Sequence, residues 1–393
     1  MSESSLWSLL LVMTVAALAP IVSRLVPGRP PQVLFRILGG IVIGPSVLGW
    51  ADAVDIQLLS GLGLGFLFLL AGHELDPRML RERAGTQALL AWGVSAALAV
   101  LVVGGLEYLG YVKAFVPVAI ALTTTALGTL LPILREQQML AGPFGRYIFA
   151  AGAVGELLPI LAISLFLGAY DSWWEALIIA SIAGLALLLA WLTRLLSGTR
   201  VAAIIGEHKH ATSQSTLRIT VVLLLALLLI TENFGIEAAL GAFFAGMVLR
   251  QTSSAEGNQE FEDKLDAVGY GFFIPVFFVS SGMGLDLQSI LNSPGRLLAF
   301  FVLLLVVRGV PAILIYRKTL GPRQRVEMMF LTATALPLLV ALSEIGLQSG
   351  VMLPENAAAL VGAGVLSIAI FPFVATRLHR PVGQRPVRDP RVP

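Results

Sequence analysis

The first candidate for chemistry is Glu156, an acid inside a long apolar stretch, in the segment GAVGELLPI with Gly155 and Pro159 beside it. A carboxylate in such surroundings is costly to keep charged, so it usually lies beside a partner or faces a water-filled cavity. Either a proton or a cation can neutralise its charge, and the two then compete for one site. We interpret Glu156 as a carboxylate that binds a proton and a cation in turn. The alternative is a structural ion pair.

Two other apolar stretches contain threonines that are followed by a proline. Residues 123 to 125 are threonines and precede Pro132, whereas Thr332 and Thr334 precede Pro337. Because proline removes a backbone donor and clashes with the preceding turn, each stretch is predicted to break and to expose helix ends that can bind charge. Threonine hydroxyls add oxygen ligands suited to a hard cation. Ordinary kinks, with each hydroxyl bonded back to its own helix, are the alternative. The candidate ligands are Thr124, Thr125 and Thr334.

Two further charges lie inside apolar stretches. Arg308, in LLLVVRGVPAIL, needs acceptors that Glu156 or the carbonyls of the broken stretches could supply, so we interpret it as a charge partner of the core. Glu344, in LVALSEIGL, lies closer to the end of its stretch. Its position suggests a gate or a second acid.

The composition places these residues in a membrane protein. The chain has 393 residues, of which 57% are hydrophobic and 13% are charged, whereas a soluble domain carries charge on roughly a quarter of its residues. The chain has no cysteine, and its four histidines lack metal-ligand spacing, so we expect no disulfide, no cofactor and no resident metal. The net charge of +2 is spread over many loops, which argues against nucleic-acid binding.

A helix of roughly 20 apolar residues spans a bilayer, and about thirteen stretches meet this criterion. The ninth stretch is short. Residues 197 to 216 and 251 to 266 are predicted to be linkers, and residues 379 to 393 a short tail. The predicted stretches are 6 to 25, 31 to 50, 56 to 73, 86 to 110, 113 to 134, 145 to 169, 173 to 196, 217 to 235, 237 to 250, 268 to 285, 295 to 316, 326 to 348 and 355 to 376.

The basic residues predict the orientation, because Lys and Arg concentrate in cytoplasmic loops. With the N-terminus outside, the loops on one side carry nearly all of them. The opposite side receives Lys113 and Arg296. We therefore expect an odd number of helices, with the N-terminus outside and the C-terminus in the cytoplasm.

The chain also repeats itself at an offset of about 210 residues, as many secondary transporters do. An odd number of helices per repeat would place the two copies in opposite orientations. The parallel segments are FLFLLAGHELD and VFFVSSGMGLD, TTTALGTLLPIL and TATALPLLVAL, and AAGAVGELLPI and LVGAGVLSIAI.

Six segments together resemble the monovalent cation:proton antiporters, the bacterial sodium/proton exchanger and potassium-efflux type, over essentially the whole chain. These segments are ILGGIVIGPSVLG, FLFLLAGHELD, the threonine-rich fifth stretch, GIEAALGAFFAGMVL, PVFFVSSGMGLDL and ATALPLLVALSEIG. The resemblance implies an all-α integral membrane protein of about 13 transmembrane helices, with inverted repeats and two broken helices that cross.

The resemblance also implies an alternating-access transporter that exchanges Na+ or K+ for protons, and not an enzyme. It implies a homodimer in the cell (inner) membrane. The transporter domain would cover residues 1 to 378, with a mobile core at about 85 to 169 and 294 to 378 and a dimerisation scaffold at about 1 to 84 and 173 to 290. The family carries a pair of polar or acidic residues on the sixth helix, of which the second binds the ion and the proton. Here the pair is Gly155 and Glu156, and Arg308 matches the family's basic residue.

Three alternatives remain open from the sequence. A sodium-coupled symporter of an organic anion would use a related fold but would need a roomier, more polar cavity. An intramembrane enzyme or an ion-sensing receptor would need a catalytic constellation or a sensory domain. A relative that has lost transport would be consistent with the unusual Gly155-Glu156 pair. If exchange occurs, the single carboxylate predicts one proton for one cation.

Overall fold

The computed structural model describes eleven parts of the chain, with gaps between them. Within these parts the backbone is helical or forms turns, and it contains no β-strand. Seven of the described helices are long and apolar enough to cross a membrane. The described residues are 3–26, 30–74, 81–140, 142–166, 215–233, 238–253, 259–285, 287–292, 294–348, 350 and 352–379.

The helices are numbered in chain order over the described residues. Two segments of π-helix, Gly269–Phe273 and Leu305–Gly309, join α10 to α11 and α13 to α14. The bounds are α1 Glu3–Leu25, α2 Gln32–Ile43, α3 Gln57–Glu74, α4 Arg83–Tyr108, α5 Phe115–Ala121, α6 Leu127–Glu136, α7 Gly142–Phe166, α8 Ser215–Asn233, α9 Ala238–Ser253, α10 Gln259–Val268, α11 Ile274–Met283, α12 Leu287–Asn292, α13 Pro294–Leu304, α14 Val310–Ile315, α15 Pro322–Thr332, α16 Pro337–Gln348 and α17 Pro354–Leu378.

The predicted apolar stretches coincide with these helices, with two differences and one gap. The second stretch ends as a helix at Ile43, because the Gly44–Pro45 step turns the chain. The predicted linker 251 to 266 is partly wrong, since α10 is helical and buries Phe261 and Leu265 on one face. The seventh stretch, 173 to 196, lies outside the described residues.

Both stretches that contain threonines are broken, as predicted, but only Pro337 stands at its break, because Pro132 lies inside α6. The fifth stretch forms α5 and α6, and the twelfth forms α15 and α16. Residues 124 to 126 and 334 to 336 lie between the half-helices without helical structure. The two breaks occupy corresponding places in the internal repeat.

The helices pack in two groups around these breaks. In the first group α3 packs on α9, and α2 packs on α11. In the second, α4 packs on α7, while α13, α15 and α16 pack on α17. Glycines allow the closest approach in the first group: a Cβ at Gly72 would lie 2.0 Å from the Phe243 carbonyl oxygen, and one at Gly246 would lie 2.0 Å from that of Leu69.

Candidate functional site

The first break places three threonines in the interior. The Thr123 hydroxyl donates to the Ile120 carbonyl at 2.7 Å, and the Thr124 hydroxyl donates to the Ala121 carbonyl at 2.8 Å. Both bonds satisfy carbonyls at the C-terminal end of α5, which a continuing helix would otherwise satisfy. Each of these hydroxyl oxygens keeps lone pairs that can accept or coordinate.

The second break is held by a serine from a neighbouring helix. The Ala335 amide donates to the hydroxyl oxygen of Ser367, on α17, at 3.1 Å. The same hydroxyl lies 2.9 Å from the Ala335 carbonyl oxygen and 2.8 Å from that of Gly364. Ser367 is fully buried. It therefore supplies hydrogen bonds that the non-helical backbone lacks.

The two breaks contact each other directly. The Ala126 amide donates to the Thr334 carbonyl at 2.8 Å, and the Thr125 hydroxyl donates to the Thr332 carbonyl at 2.6 Å. Non-helical backbone at this depth is tolerated where protein groups satisfy it. The backbones of the two repeats thus satisfy each other where they cross.

Glu156 is held next to this crossing by the backbone of its own helix, α7. Pro159 has no amide hydrogen, so the Gly155 carbonyl lacks its usual helical donor. The Thr125 amide donates to that carbonyl instead, at 2.9 Å. Glu156 is the next residue, and it is 2% exposed. Pro159 therefore leaves the Gly155 carbonyl free to bind the first break, directly beside Glu156.

A narrow cleft lies between Glu156 and the two breaks, with an empty volume of about 170 Å³. The residues that line the cleft offer a carboxylate at Glu156, threonine hydroxyls and backbone carbonyls. These groups are oxygen ligands that suit a hard cation. Its lining residues are Thr124, Thr125, Ala126, Glu156, Ala335, Leu336, Pro337 and Leu338.

Arg308 is buried beside the same crossing, with 1% of its surface exposed. It belongs to the π-helical segment Leu305–Gly309, which precedes Pro311. Its Nε donates to the Thr125 hydroxyl oxygen at 2.9 Å, and its Nη2 donates to the Ala151 carbonyl at 3.0 Å. A buried guanidinium needs such acceptors to offset the loss of water. The residue thus links the eleventh stretch to the fifth and the sixth.

The structure brings the predicted site residues together to different degrees. Glu156, Thr124 and Thr125 line one cleft. Thr334 contributes its carbonyl to the crossing, while its hydroxyl donates back to the Phe330 carbonyl at 3.1 Å. Glu344 belongs to α16, but its side chain lies outside the described part of the structure.

Two features of this region were not predicted as parts of a site. In the sequence, Ser367 is only a weak candidate for a functional residue, because a serine in a membrane helix is more often an interhelical contact, although it stands beside the position that the repeat aligns with Glu156. Glu327, in the middle of α15, is 1% exposed; its carboxylate lies 3.0 Å from His379 Nδ1 and 3.9 Å from Arg323 Nε. No local pattern indicates that Glu327 is buried, because its partners include the end of α17.

Comparison with known proteins agrees with this arrangement. The family described as "Sodium/hydrogen exchanger, transmembrane" matches residues 11–379. A Bacillus subtilis protein named as a putative Na+/H+ antiporter is 27% identical over 97% of this chain and 64% of its own length. The Na+/H+-K+ antiporter GerN of Bacillus cereus is 26% identical over 71% of each chain. Cation/H+ antiporter 17 of Arabidopsis thaliana is 28% identical over 67% of this chain and 34% of its own length.

The chain therefore spans less than two thirds of the length of some of these relatives. Among solved structures, the sodium proton antiporter MjNhaP1 of Methanocaldococcus jannaschii shares the fold, with a TM-score of 0.61 and 14% identity over 94% of this chain and 96% of that one. The fold is the all-α, sodium/proton antiporter-like architecture that the sequence predicts. With nearly all of its length matched by the family, the chain is a multi-pass membrane protein of the sodium/hydrogen exchanger family.

Proposed function

We propose that the protein is a secondary active transporter that exchanges a monovalent cation, Na+ or K+, for H+ by alternating access, with Glu156 as the shared site. The observation that carries this proposal is the position of Glu156, buried in a cleft that both broken helices line. The relatives named as Na+/H+ or Na+/H+-K+ antiporters support exchange, and their names favour no single cation for this chain.

The chemistry follows from the cost of a buried charge. The charge of an ionised carboxylate in a low-dielectric interior must be neutralised. A proton and a monovalent cation each carry the single positive charge that does so. The two ligands therefore compete for Glu156. If the core moves when either one is bound and stays in place when the carboxylate is empty, the movement of one ion is coupled to that of the other.

The threonines take different parts in this proposal. The Thr124 hydroxyl donates to a carbonyl of its own helix, which leaves its oxygen able to coordinate a cation in the cleft. The Thr125 oxygen already accepts from Arg308 and donates to Thr332. We assign Thr124 as a ligand, and Thr125 chiefly as the residue that fixes the geometry. Thr334 acts through its backbone.

The cleft gives less support to a sodium-coupled organic-anion symporter. Pockets for organic ligands usually enclose about 300–1,000 Å³. The cleft leaves no room for a sphere the size of a water molecule, and it contains an acid that would repel an anion. Membership in an exchanger family also places the chain among transporters and not among enzymes.

We further propose that the two groups of helices are the dimerisation scaffold and the mobile core. The separate packing of α2, α3, α9 and α11 from α4, α7 and α13 to α17 supports a division at about residues 85 and 294. The basic loops support a cell (inner) membrane orientation with the N-terminus outside and the C-terminus in the cytoplasm. The dimer is proposed from the resemblance alone.

The experiment that tests the function is proton flux in proteoliposomes that carry a pH gradient, with Na+, K+ or Li+ added in turn. Glu156→Gln removes the charge and keeps the shape. Glu107→Gln, at an exposed acid near the end of α4, is the matched control. We expect a cation to dissipate the gradient in the wild type and in the control, and not in Glu156→Gln. Flux that persists in Glu156→Gln, or no flux with any cation in the wild type, contradicts the proposal.

A further inference from the structure

Gly155 lies against the guanidinium of Arg308. A Cβ placed on Gly155 would be 2.5 Å from Arg308 Nη2, 2.5 Å from Thr125 Oγ1 and 2.7 Å from Thr125 Cβ. These separations are shorter than side-chain carbons tolerate, so a neighbour would have to move. The space that a side chain at residue 155 would fill is occupied by the guanidinium and the threonine.

Neither neighbour can move freely. The guanidinium is a rigid plane held at two of its nitrogens, by Thr125 and by the Ala151 carbonyl. Thr125 is held at both its amide and its hydroxyl, because the amide donates to Gly155 and the hydroxyl donates to Thr332. A methyl group at residue 155 would therefore have to displace the guanidinium or Thr125 and so strain these buried hydrogen bonds.

The hydroxyl of Thr125 also has a fixed direction. A threonine hydroxyl has one hydrogen, which goes to the Thr332 carbonyl at 2.6 Å, so its oxygen must accept from Arg308 Nε at 2.9 Å. Hydrogen bonds to a charged donor are the stronger kind. The guanidinium thereby polarises a chain of bonds that runs from Arg308 through Thr125 to the second repeat.

We propose that Gly155 is a cradle for the guanidinium, and that Arg308 is a positioning residue that acts through Thr125 to hold the crossing beside Glu156. Because residue 155 has no side chain, the permanently charged guanidinium of Arg308 can lie beside it and fix the crossing through Thr125. Filling Gly155 and altering Arg308 should then disturb the same bond. The effects of the two changes must be coupled and not additive.

The transport part of this inference rests on the proposed function, while the coupling itself does not. The test is a double-mutant cycle of Gly155→Ala and Arg308→Lys. Lysine keeps the charge but lacks Nη2, and it cannot hold Thr125 and Ala151 with a planar fork. Gly152→Ala, one turn earlier on α7, is the steric control, because its Cβ would lie 2.6 Å from Leu127 Cδ1, the end of a flexible apolar side chain, and not against Arg308.

Three quantities are measured for each variant: the apparent KM for the cation, the maximum rate of exchange, and the thermal unfolding midpoint of the purified protein. Loss of a buried, charge-assisted bond predicts that Gly155→Ala raises KM by about tenfold, with a smaller change in maximum rate. In the Arg308→Lys background the same change should raise KM by less than about threefold. Gly152→Ala should leave KM within about twofold of the wild type, since it keeps the bond to Thr125.

Equal penalties for Gly155→Ala in both backgrounds would overturn the proposal, as would a wild-type KM and unfolding midpoint for Gly155→Ala alone. The unfolding midpoints give a second cycle that needs no transport. If the wild type shows no cation-driven flux but the midpoints are coupled, the proposed function fails and the cradle stands. If flux depends on Glu156 and the midpoints and KM values are additive, the cradle fails and the function stands.

Discussion

At the scale of single residues, the threonines of the first break have the same chemistry but different surroundings. Thr124 and Thr125 both line the cleft and are both buried. Only Thr125 stands between Arg308 and the second repeat, through bonds of 2.9 Å and 2.6 Å. The Thr124 hydroxyl can therefore be removed without loosening the crossing, whereas the Thr125 hydroxyl cannot.

This difference predicts a separation of effects between two isosteric changes. Thr124→Val removes an oxygen that can coordinate, so we expect the KM for the cation to rise by about tenfold. The loss of stability should be smaller than for Thr125→Val, because the Ala121 carbonyl still accepts from the Thr124 amide at 3.2 Å. Thr125→Val removes a partner of a buried guanidinium and should lower the free energy of unfolding by about 1–3 kcal/mol. Thermal unfolding and cation-dependent flux of both variants check this. Equal loss of stability in the two would contradict it.

Ser367 allows a second prediction at this scale. Ser367→Ala leaves the buried Ala335 amide without its 3.1 Å acceptor, which should cost about 1–3 kcal/mol of stability. Ser343→Ala is the control, since the Ser343 hydroxyl is also buried but only donates, at 3.5 Å, to the Ala357 carbonyl. Chemical or thermal unfolding of the two purified variants makes the comparison. A similar loss in both would show that Ser367 does not hold the second break.

At the scale of the helices, prolines decide where backbone groups become available. Pro159 frees the Gly155 carbonyl for Thr125, and Pro337 begins the second half of the broken twelfth stretch. The contact between α7 and the first break is thus made possible by the missing amide hydrogen of Pro159, three residues after Glu156.

Restoring that amide should weaken the contact. Pro159→Ala gives the Gly155 carbonyl a helical donor that competes with Thr125, so we expect the exchange rate to fall by about threefold or more, on the scale of one neutral hydrogen bond. Pro20→Ala, inside the C-terminal part of α1, is the control and should leave the rate unchanged. Proton flux in proteoliposomes measures both. Unchanged flux in Pro159→Ala would mean that the Thr125 bond does not govern the geometry of the site.

At the scale of the whole molecule, the orientation in the membrane is open to a direct test, because the chain has no cysteine of its own. Lys113 and Lys318 are exposed at the ends of helices and are assigned to opposite sides. A membrane-impermeant thiol reagent added to intact cells should label Lys113→Cys and not Lys318→Cys. Labelling should reverse in inside-out vesicles. The opposite pattern would invert the proposed topology.

The local sequence was enough to predict the membrane helices and the two broken stretches. Transfer of apolar side chains into lipid and the loss of an amide at proline depend on neighbouring residues alone. The fifth and twelfth stretches do break at their threonines, and Pro337 begins the second half-helix of the twelfth, whereas Pro132 lies inside α6 and does not mark the first break. The same reasoning singled out Glu156, because an acid inside an apolar helix is costly wherever the helix packs.

The partners of those residues could not be predicted locally, because they come from distant parts of the chain. Arg308 and Thr125 are separated by 183 residues, and Thr125 and Thr332 by 207. Which acceptor a buried guanidinium finds depends on how whole helices pack. Only the folded chain therefore shows that Arg308 bonds to Thr125 and Ala151, that Ser367 holds the second break, and that Gly155 must lack a side chain to make room for the guanidinium.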